Sequence, residues 1–113
     1  MKFRLASAMT KALALFLSPI ARRIRVEGLS MVPTLAPGET TWALHRWRRV
    51  RVGDVVAVAD PTAPKRELVK RVARLEGREA WLVGDNEAVS VDSRSFGAVP
   101  VRRIRWFVVV PHA

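Results

Sequence analysis

Cysteine is absent from this chain. That removes disulfides, thiol nucleophiles and cysteine metal ligands together. Histidine is nearly absent: His45 sits in a basic stretch and His112 is the penultimate residue. A Ser-His-Asp triad needs its imidazole in a structured setting, oriented by a carboxylate, and neither position offers one. No His/Asp/Glu cluster has metal-ligand spacing and no glycine-rich phosphate loop is present. No metal or other cofactor is therefore expected. The N-terminal apolar run, Ala12 to Leu17, falls far short of the ~20 residues that a membrane-spanning helix needs. Extending it back to Leu5 would require burying Lys11.

Negative charge is scarce. Ten Asp+Glu face 20 Lys+Arg, for a formal net charge of +10. Such a balance suits nucleic acid or anionic lipid surfaces, or else reflects a general preference for arginine. Only Lys2, Lys11, Lys65 and Lys70 are lysines. With 50% hydrophobic residues the chain is no disordered basic tail, and 113 residues make at most one domain.

Taken in order, residues 1–20 read as a helix, with Leu5, Met9, Ala12, Leu13, Phe16 and Leu17 at helical spacing and Pro19 closing the pattern. The segment can lie on an anionic membrane surface, span marginally, or pack on its own domain. Pro19 and Ala21-Arg22-Arg23 do not resemble a signal-peptide cleavage region. From Arg23 the period changes to two. Ile24 and Val26 alternate with charged residues, as in a half-buried strand. Further strands are expected at Thr40–Leu44, Val55–Ala59, Arg66–Leu75 and Ala80–Val83, with Val99–Val110 forming one long strand or two short ones. His45–Arg51 reads as a basic loop around Trp47, Asp60–Pro64 as a loop, and Gly84–Gly97 as polar and largely irregular. The expected fold is a compact, mainly antiparallel β domain over residues 21–113, a barrel or rolled sheet, with helix confined to the N-terminus.

Two residues stand out against this background. Ser30 lies in Gly28-Leu29-Ser30-Met31-Val32-Pro33-Thr34-Leu35, where a permissive glycine precedes the serine and a stiff proline follows it. Such a turn can present a hydroxyl at a fixed angle, which suits a nucleophile, although ordinary turns share this composition. Lys70 lies on a strand. There Leu68, Lys70 and Val72 share one face while Glu67, Val69 and Arg71 share the other. A lysine among apolar neighbours loses its charged form and becomes a general base, unless it reaches past them to water. Together Ser30 and Lys70 supply a nucleophile and a base without histidine.

The serine stretch resembles the serine box of type I signal peptidases, the S26 serine proteases. Gly53-Asp54-Val55-Val56 resembles that family's following strand, and Val69-Lys70-Arg71-Val72 its lysine box. Gly84-Asp85-Asn86 and Ser90-Val91-Asp92-Ser93-Arg94-Ser95-Phe96-Gly97 resemble its last box. The matches fall in family order over roughly residues 24–99. The S24 self-cleaving repressors share the dyad and the catalytic core, but lack the last box and cut themselves at an Ala-Gly bond that this chain does not contain. The resemblance implies Ser30 as nucleophile, Lys70 as general base, Ser90 orienting the amine, and an Asp92–Arg94 ion pair bracing the site. It also implies the Ser30 backbone N–H as an oxyanion donor, and Met31 and Val69 as walls of a pocket for small residues. The partner it implies is a precursor protein's leader peptide, lying extended beside the lysine strand.

The chain departs from that pattern in three places. Gly28 stands where some members carry a serine that donates to the oxyanion. The large extra domain of some members is missing, since Lys70 follows Gly53-Asp54 so closely. Arg22, Arg23 and Arg25 after the apolar segment outnumber Lys2 and Arg4 before it, which by the positive-inside rule holds the catalytic part in the cytoplasm. A membrane-associated signal peptidase and a cytoplasmic protease maturing a metalloenzyme precursor, such as nickel superoxide dismutase, both remain open. A basic β-barrel binding nucleic acid through Arg46–Arg51 and Arg102–Arg105 would leave the serine and lysine boxes unexplained.

Overall fold

The structure, a computed structural model, describes residues 20–111. The expected helix over residues 1–20 falls outside them but for Ile20, as does His112. Among the described residues seven strands form one antiparallel sheet: β1 (Ala21–Arg25), β2 (Thr40–His45), β3 (Val55–Asp60), β4 (Ala63–Glu76), β5 (Glu79–Val83), β6 (Val99–Pro100) and β7 (Trp106–Val108). Their spatial order is β1-β2-β7-β3-β4-β5-β6. β1 and β6 are the two edges, so the sheet is open and not a closed barrel.

β3 explains its own composition. Val55 and Ala57 pack into one apolar cluster, with Ile24, Val26, Met31, Leu35, Ala43 and Val108. Val56 and Val58 pack into a second, with Leu68, Val72, Leu82, Val99, Ile104 and Phe107. A strand covered on both faces reads as a continuous apolar run rather than an alternating one. The sheet curls enough that residues of β1 and of β4, with three strands between them, line one cleft of about 600 Å³.

β4 is the longest strand and serves two partners. Its first part pairs with β3, from Ala63 opposite Asp60 to Arg71 opposite Val55. Its last part pairs with β5, from Arg71 opposite Val83 to Glu76 opposite Glu79. Lys70 lies opposite Val56, between Leu68 and Val72 on the same face, and is only 2% exposed. The expected side-chain alternation therefore holds.

Two expectations change, and the alternative left open at the C-terminus resolves to two short strands. The loop over residues 60–64 is a tight hairpin whose strand resumes at Ala63. Asp60 accepts from the Thr62 N–H at 2.8 Å and its hydroxyl at 2.7 Å, an Asx turn that replaces a longer connection. The C-terminal segment is two short strands at separate places in the sheet, β6 beside β5 and β7 between β2 and β3, with a 3-10 turn at Val101–Arg103 between them. Helix is not confined to the N-terminus, since Ser93–Phe96 forms one short turn, α1, capped by the Asp92 side chain. Trp47 meets Phe107 edge-on at 5.1 Å and is otherwise 65% exposed. Arg48 stacks over the same Phe107 at 4.3 Å and makes two hydrogen bonds to Asp54, at 2.9 and 3.0 Å. That commitment weighs against the loop as a nucleic-acid groove.

Leu82 is fully buried in the second cluster, whereas Val52 is 60% exposed. Leu82→Ala is expected to lower unfolding free energy by about 2–5 kcal/mol, and Val52→Ala to change it by less than about 0.5 kcal/mol. Urea midpoints that move equally for the two variants would contradict this core.

Candidate active site

The serine turn is tied down from several sides. Gly28 has φ +72°, in the left-handed region, while a Cβ built there would meet nothing within 4 Å. The glycine is thus required by backbone conformation and not by space, and a serine at this position would be strained. After it, Met31 and Leu35 are both fully buried in the first cluster, joined by a Leu35 N–H to Met31 carbonyl bond of 2.9 Å. Ser30 lies between exposed Leu29 and buried Met31. Its carbonyl accepts from the Asn86 N–H at 2.8 Å, and the Asn86 amide donates to the Leu29 carbonyl at 3.2 Å. The Gly84-Asp85-Asn86 stretch therefore clasps the serine turn directly.

Asp85 extends the clasp. The Thr34 hydroxyl donates to its carboxylate from the serine side. Arg71, next to Lys70, donates to both its oxygens at 2.8 and 2.9 Å, and to the Gly53 carbonyl at 2.7 Å. The Arg71 guanidinium, and with it the Thr34 hydroxyl, holds the Asp85 carboxyl below the ordinary aspartate range despite its partial burial. Sequence reasoning assigned no role to Thr34, Arg71, Asp85 or Asn86. All four lie inside the quoted boxes, but nothing local indicates that Asp85 joins residues 51 positions before it and 14 before it.

Lys70, Ser90, Asp92 and Arg94 form one continuous run. The Lys70 amine donates to Ser90 Oγ at 3.1 Å. Ser90 in turn donates to Asp92 Oδ2 at 2.6 Å. Arg94 donates to Asp92 through its Nε at 2.9 Å and a terminal nitrogen at 2.6 Å, and the Gly84 N–H adds a bond of 2.8 Å. Burial by itself would raise the Asp92 carboxyl. The bonds from Arg94, Ser90 and Gly84 outweigh it and hold Asp92 far below the ordinary range, so it stays ionised. For Lys70 burial dominates. It lowers the amine from its usual value, Arg66 and Arg94 lower it further, and Asp92 and Asp60 only partly oppose the shift.

Ser30, Met31, Val69 and Lys70 all line the cleft between β1 and β4. His45 does not line it. Its ring meets Trp106 edge-on at 5.2 Å. Among the described residues no group of three His, Cys, Asp or Glu could hold a metal ion.

Comparison with known proteins places the sequence in a family. The sequence matches the family model described as signal peptidase, peptidase S26, over residues 2–79. The chain belongs to the S26 signal peptidase family. The S26 match covers the serine and lysine boxes and ends before Gly84. The chain is 34% identical to the Bos taurus mitochondrial inner membrane protease subunit 2 over 109 residues, covering 74% of this chain and 62% of that protein. It is 37% identical to the Arabidopsis thaliana mitochondrial ATP-independent inner membrane protease subunit 1a over 101 residues, covering 66% and 60%. With the Schizosaccharomyces pombe mitochondrial inner membrane protease subunit 1 the identity is 33% over 111 residues, covering 75% and 71%. The chain thus spans somewhat less than two thirds of the length of the bovine and plant S26 relatives.

Two variants probe this geometry. A Cβ on Gly84 would lie 2.2 Å from Ser90 Oγ and 2.7 Å from the Ser30 carbonyl oxygen. Gly84→Ala is expected to cost about 1–3 kcal/mol of stability, read by thermal denaturation; an unchanged midpoint would contradict the tight approach. Lys70 gives a pH signature. Its folded pKa lies below the unfolded value of ~10.4, so the unfolded chain binds the proton first as pH falls, and stability declines through the window between the two. Lys70→Met removes that loss and is expected to gain stability over the parent as pH drops from about 10.4 towards neutrality. A stability difference independent of pH would contradict the buried amine.

Proposed function

We propose that this protein is the catalytic core of a serine endopeptidase that removes leader peptides from precursor proteins through a Ser30–Lys70 dyad. The observation that carries the reading is Lys70. It is a buried lysine, lowered towards its neutral form, whose amine is bonded to Ser90 and which opens onto the cleft that also holds Ser30. A neutral amine takes the proton from Ser30 Oγ as that oxygen attacks the scissile carbonyl. The Ser30 N–H stabilises the resulting oxyanion. The ammonium then hands its proton to the departing amine, and water, deprotonated by the same lysine, releases the acyl group. Ser90 orients the amine, Asp92 and Arg94 hold Ser90, and Met31 and Val69 shape the pocket.

The substrate is read as an extended peptide. Residues 63–70 of β4 pair with β3 on one side only, and β1 pairs only with β2. Both strands therefore turn a free edge towards a peptide in the cleft. No helix among the described residues is long and apolar enough to cross a membrane. The S26 relatives are named as inner membrane proteases, and that favours work at a membrane, reached through residues 1–20, over maturation of a soluble metalloenzyme precursor.

The test uses a fluorogenic peptide with alanines before the scissile bond. Ser30→Ala is expected to abolish cleavage. Lys70→Arg is expected to abolish it too, because the guanidinium keeps the charge but cannot release its proton near neutral pH. Ser90→Ala is expected to slow cleavage less, since it transfers no proton. Near wild-type cleavage by a folded Lys70→Arg protein would remove the dyad.

A further inference from the structure

The walls of the cleft carry charges that the dyad does not use. Arg25 on β1, and Lys65 and Arg66 on β4, line it and are exposed. Outside the cleft five described arginines are held in ion pairs: Arg22 with Glu67, Arg48 with Asp54, Arg71 with Asp85, Arg74 with Glu76 and Arg94 with Asp92. Others, such as Arg23 and Arg49, are in none, so what marks the cleft cations is their place on its walls. Among the described residues no ion pair engages Arg25, Lys65 or Arg66. Three carboxylates also line the cleft. Glu67 is taken by Arg22, and Asp60 is buried and turned onto the Thr62 N–H and hydroxyl, with Arg66 acting on it only at longer range. Glu27 is exposed and alone. The walls therefore present three unmatched cations against one unmatched carboxylate.

The geometry of the strands sets where these cations act. Along the sheet β1 is antiparallel to β2, β2 to β7, β7 to β3 and β3 to β4, so β1 and β4 run the same way. Both lead into the site from one end, β1 towards Ser30 and the first half of β4 towards Lys70. At ~3.3 Å per residue, Arg66 and Lys65 lie roughly 13 and 17 Å back along β4 from Lys70, the span of four or five extended substrate residues.

We propose that Arg25, Lys65 and Arg66 form a subsite for acidic side chains of the substrate at the fourth and fifth residues from the bond that is cut. Arg66 and Lys65 stand on opposite faces of β4, as successive side chains of an extended peptide do. The proposal rests on the reading of Ser30 as nucleophile. An anionic headgroup shares the chemistry of the cations, but they line a cleft that ends at Ser30 and Lys70 between two free strand edges, which fits a peptide.

The experiment compares peptides with alanines around the scissile bond and Glu, Gln or Lys at positions four and five, on either side of that bond in separate series. At low ionic strength the Glu peptide of one series is expected to be cleaved with about 3- to 10-fold higher kcat/KM than its Gln counterpart, mostly through KM. The advantage should vanish at about 1 M salt. The double variant Lys65→Glu/Arg66→Glu is expected to prefer the Lys peptide. Using the Glu-to-Gln ratio cancels any change that losing Arg66 causes at Lys70. Equal cleavage of Glu and Gln peptides in both series, or a ratio that survives charge reversal, overturns the subsite and leaves the dyad standing. A double variant with an unchanged ratio but lost binding to vesicles containing anionic lipid overturns it in favour of the membrane. If no peptide is cut, the dyad reading fails separately. Anisotropy of labelled peptides on Ser30→Ala protein then decides the subsite: tighter binding of the Glu peptide supports it, and equal binding overturns it.

Discussion

The Asp92 carboxylate is the fixed point of this structure. It is fully buried and accepts from Gly84, Ser90 and Arg94. A buried charge is tolerable only when its lone pairs are all engaged, and leaving one such group unpaired costs more than the bond itself contributes. Each donor here is also a piece of the site. Gly84 leads the stretch that clasps the serine turn, and Ser90 carries the bond to Lys70. Arg94 lies in the first turn of the short helix Ser93–Phe96, whose N-cap is Asp92 itself. Satisfying one carboxylate therefore fixes three segments relative to the lysine strand.

Lys70 shows why such rigidity has a use. Burial among Val56, Leu68 and Val72 lowers the hold of its amine on the proton, while the negative Asp92 nearby acts the other way. Ser90 stands between the two groups, so the carboxylate acts on the amine through a neutral hydroxyl and not as a direct ion pair. A direct pair would favour the charged amine strongly. Asp85 does the complementary work on the other side. Arg71, the residue after Lys70, is the one that takes up a full ion pair, and it does so with the carboxylate that also receives Thr34 of the serine segment.

Much of this was legible in the sequence because it depends on local periodicity. The alternation Leu68, Lys70, Val72 placed the lysine inward, and Gly28 and Pro33 marked the serine turn. Val55–Ala59 read as a strand because both its faces are covered. What escaped depends on contacts distant in sequence. Nothing local reveals that Trp106–Val108 inserts between β2 and β3 while Val99–Pro100 pairs with β5 at the far edge. The Asp85 clasp is invisible for the same reason, since its partners lie in other boxes. The tight turn at Pro61-Thr62 was hidden by two prolines that suggested a longer loop; the Asp60 side chain supplies the hydrogen bonds that shorten it.

The central claim is that burial, opposed only in part by Asp92 at one remove, makes Lys70 lose its proton more readily than an ordinary lysine. The chain has only four lysines, Lys2, Lys11, Lys65 and Lys70, so each side-chain signal can be followed separately. The direct measurement is an NMR titration of the lysine Cε resonances in the intact protein, with Lys70→Met assigning the Lys70 signal. The account predicts that Lys70 titrates well below exposed Lys65. Titration of Lys70 together with Lys65, near the ordinary ~10.4, would contradict it.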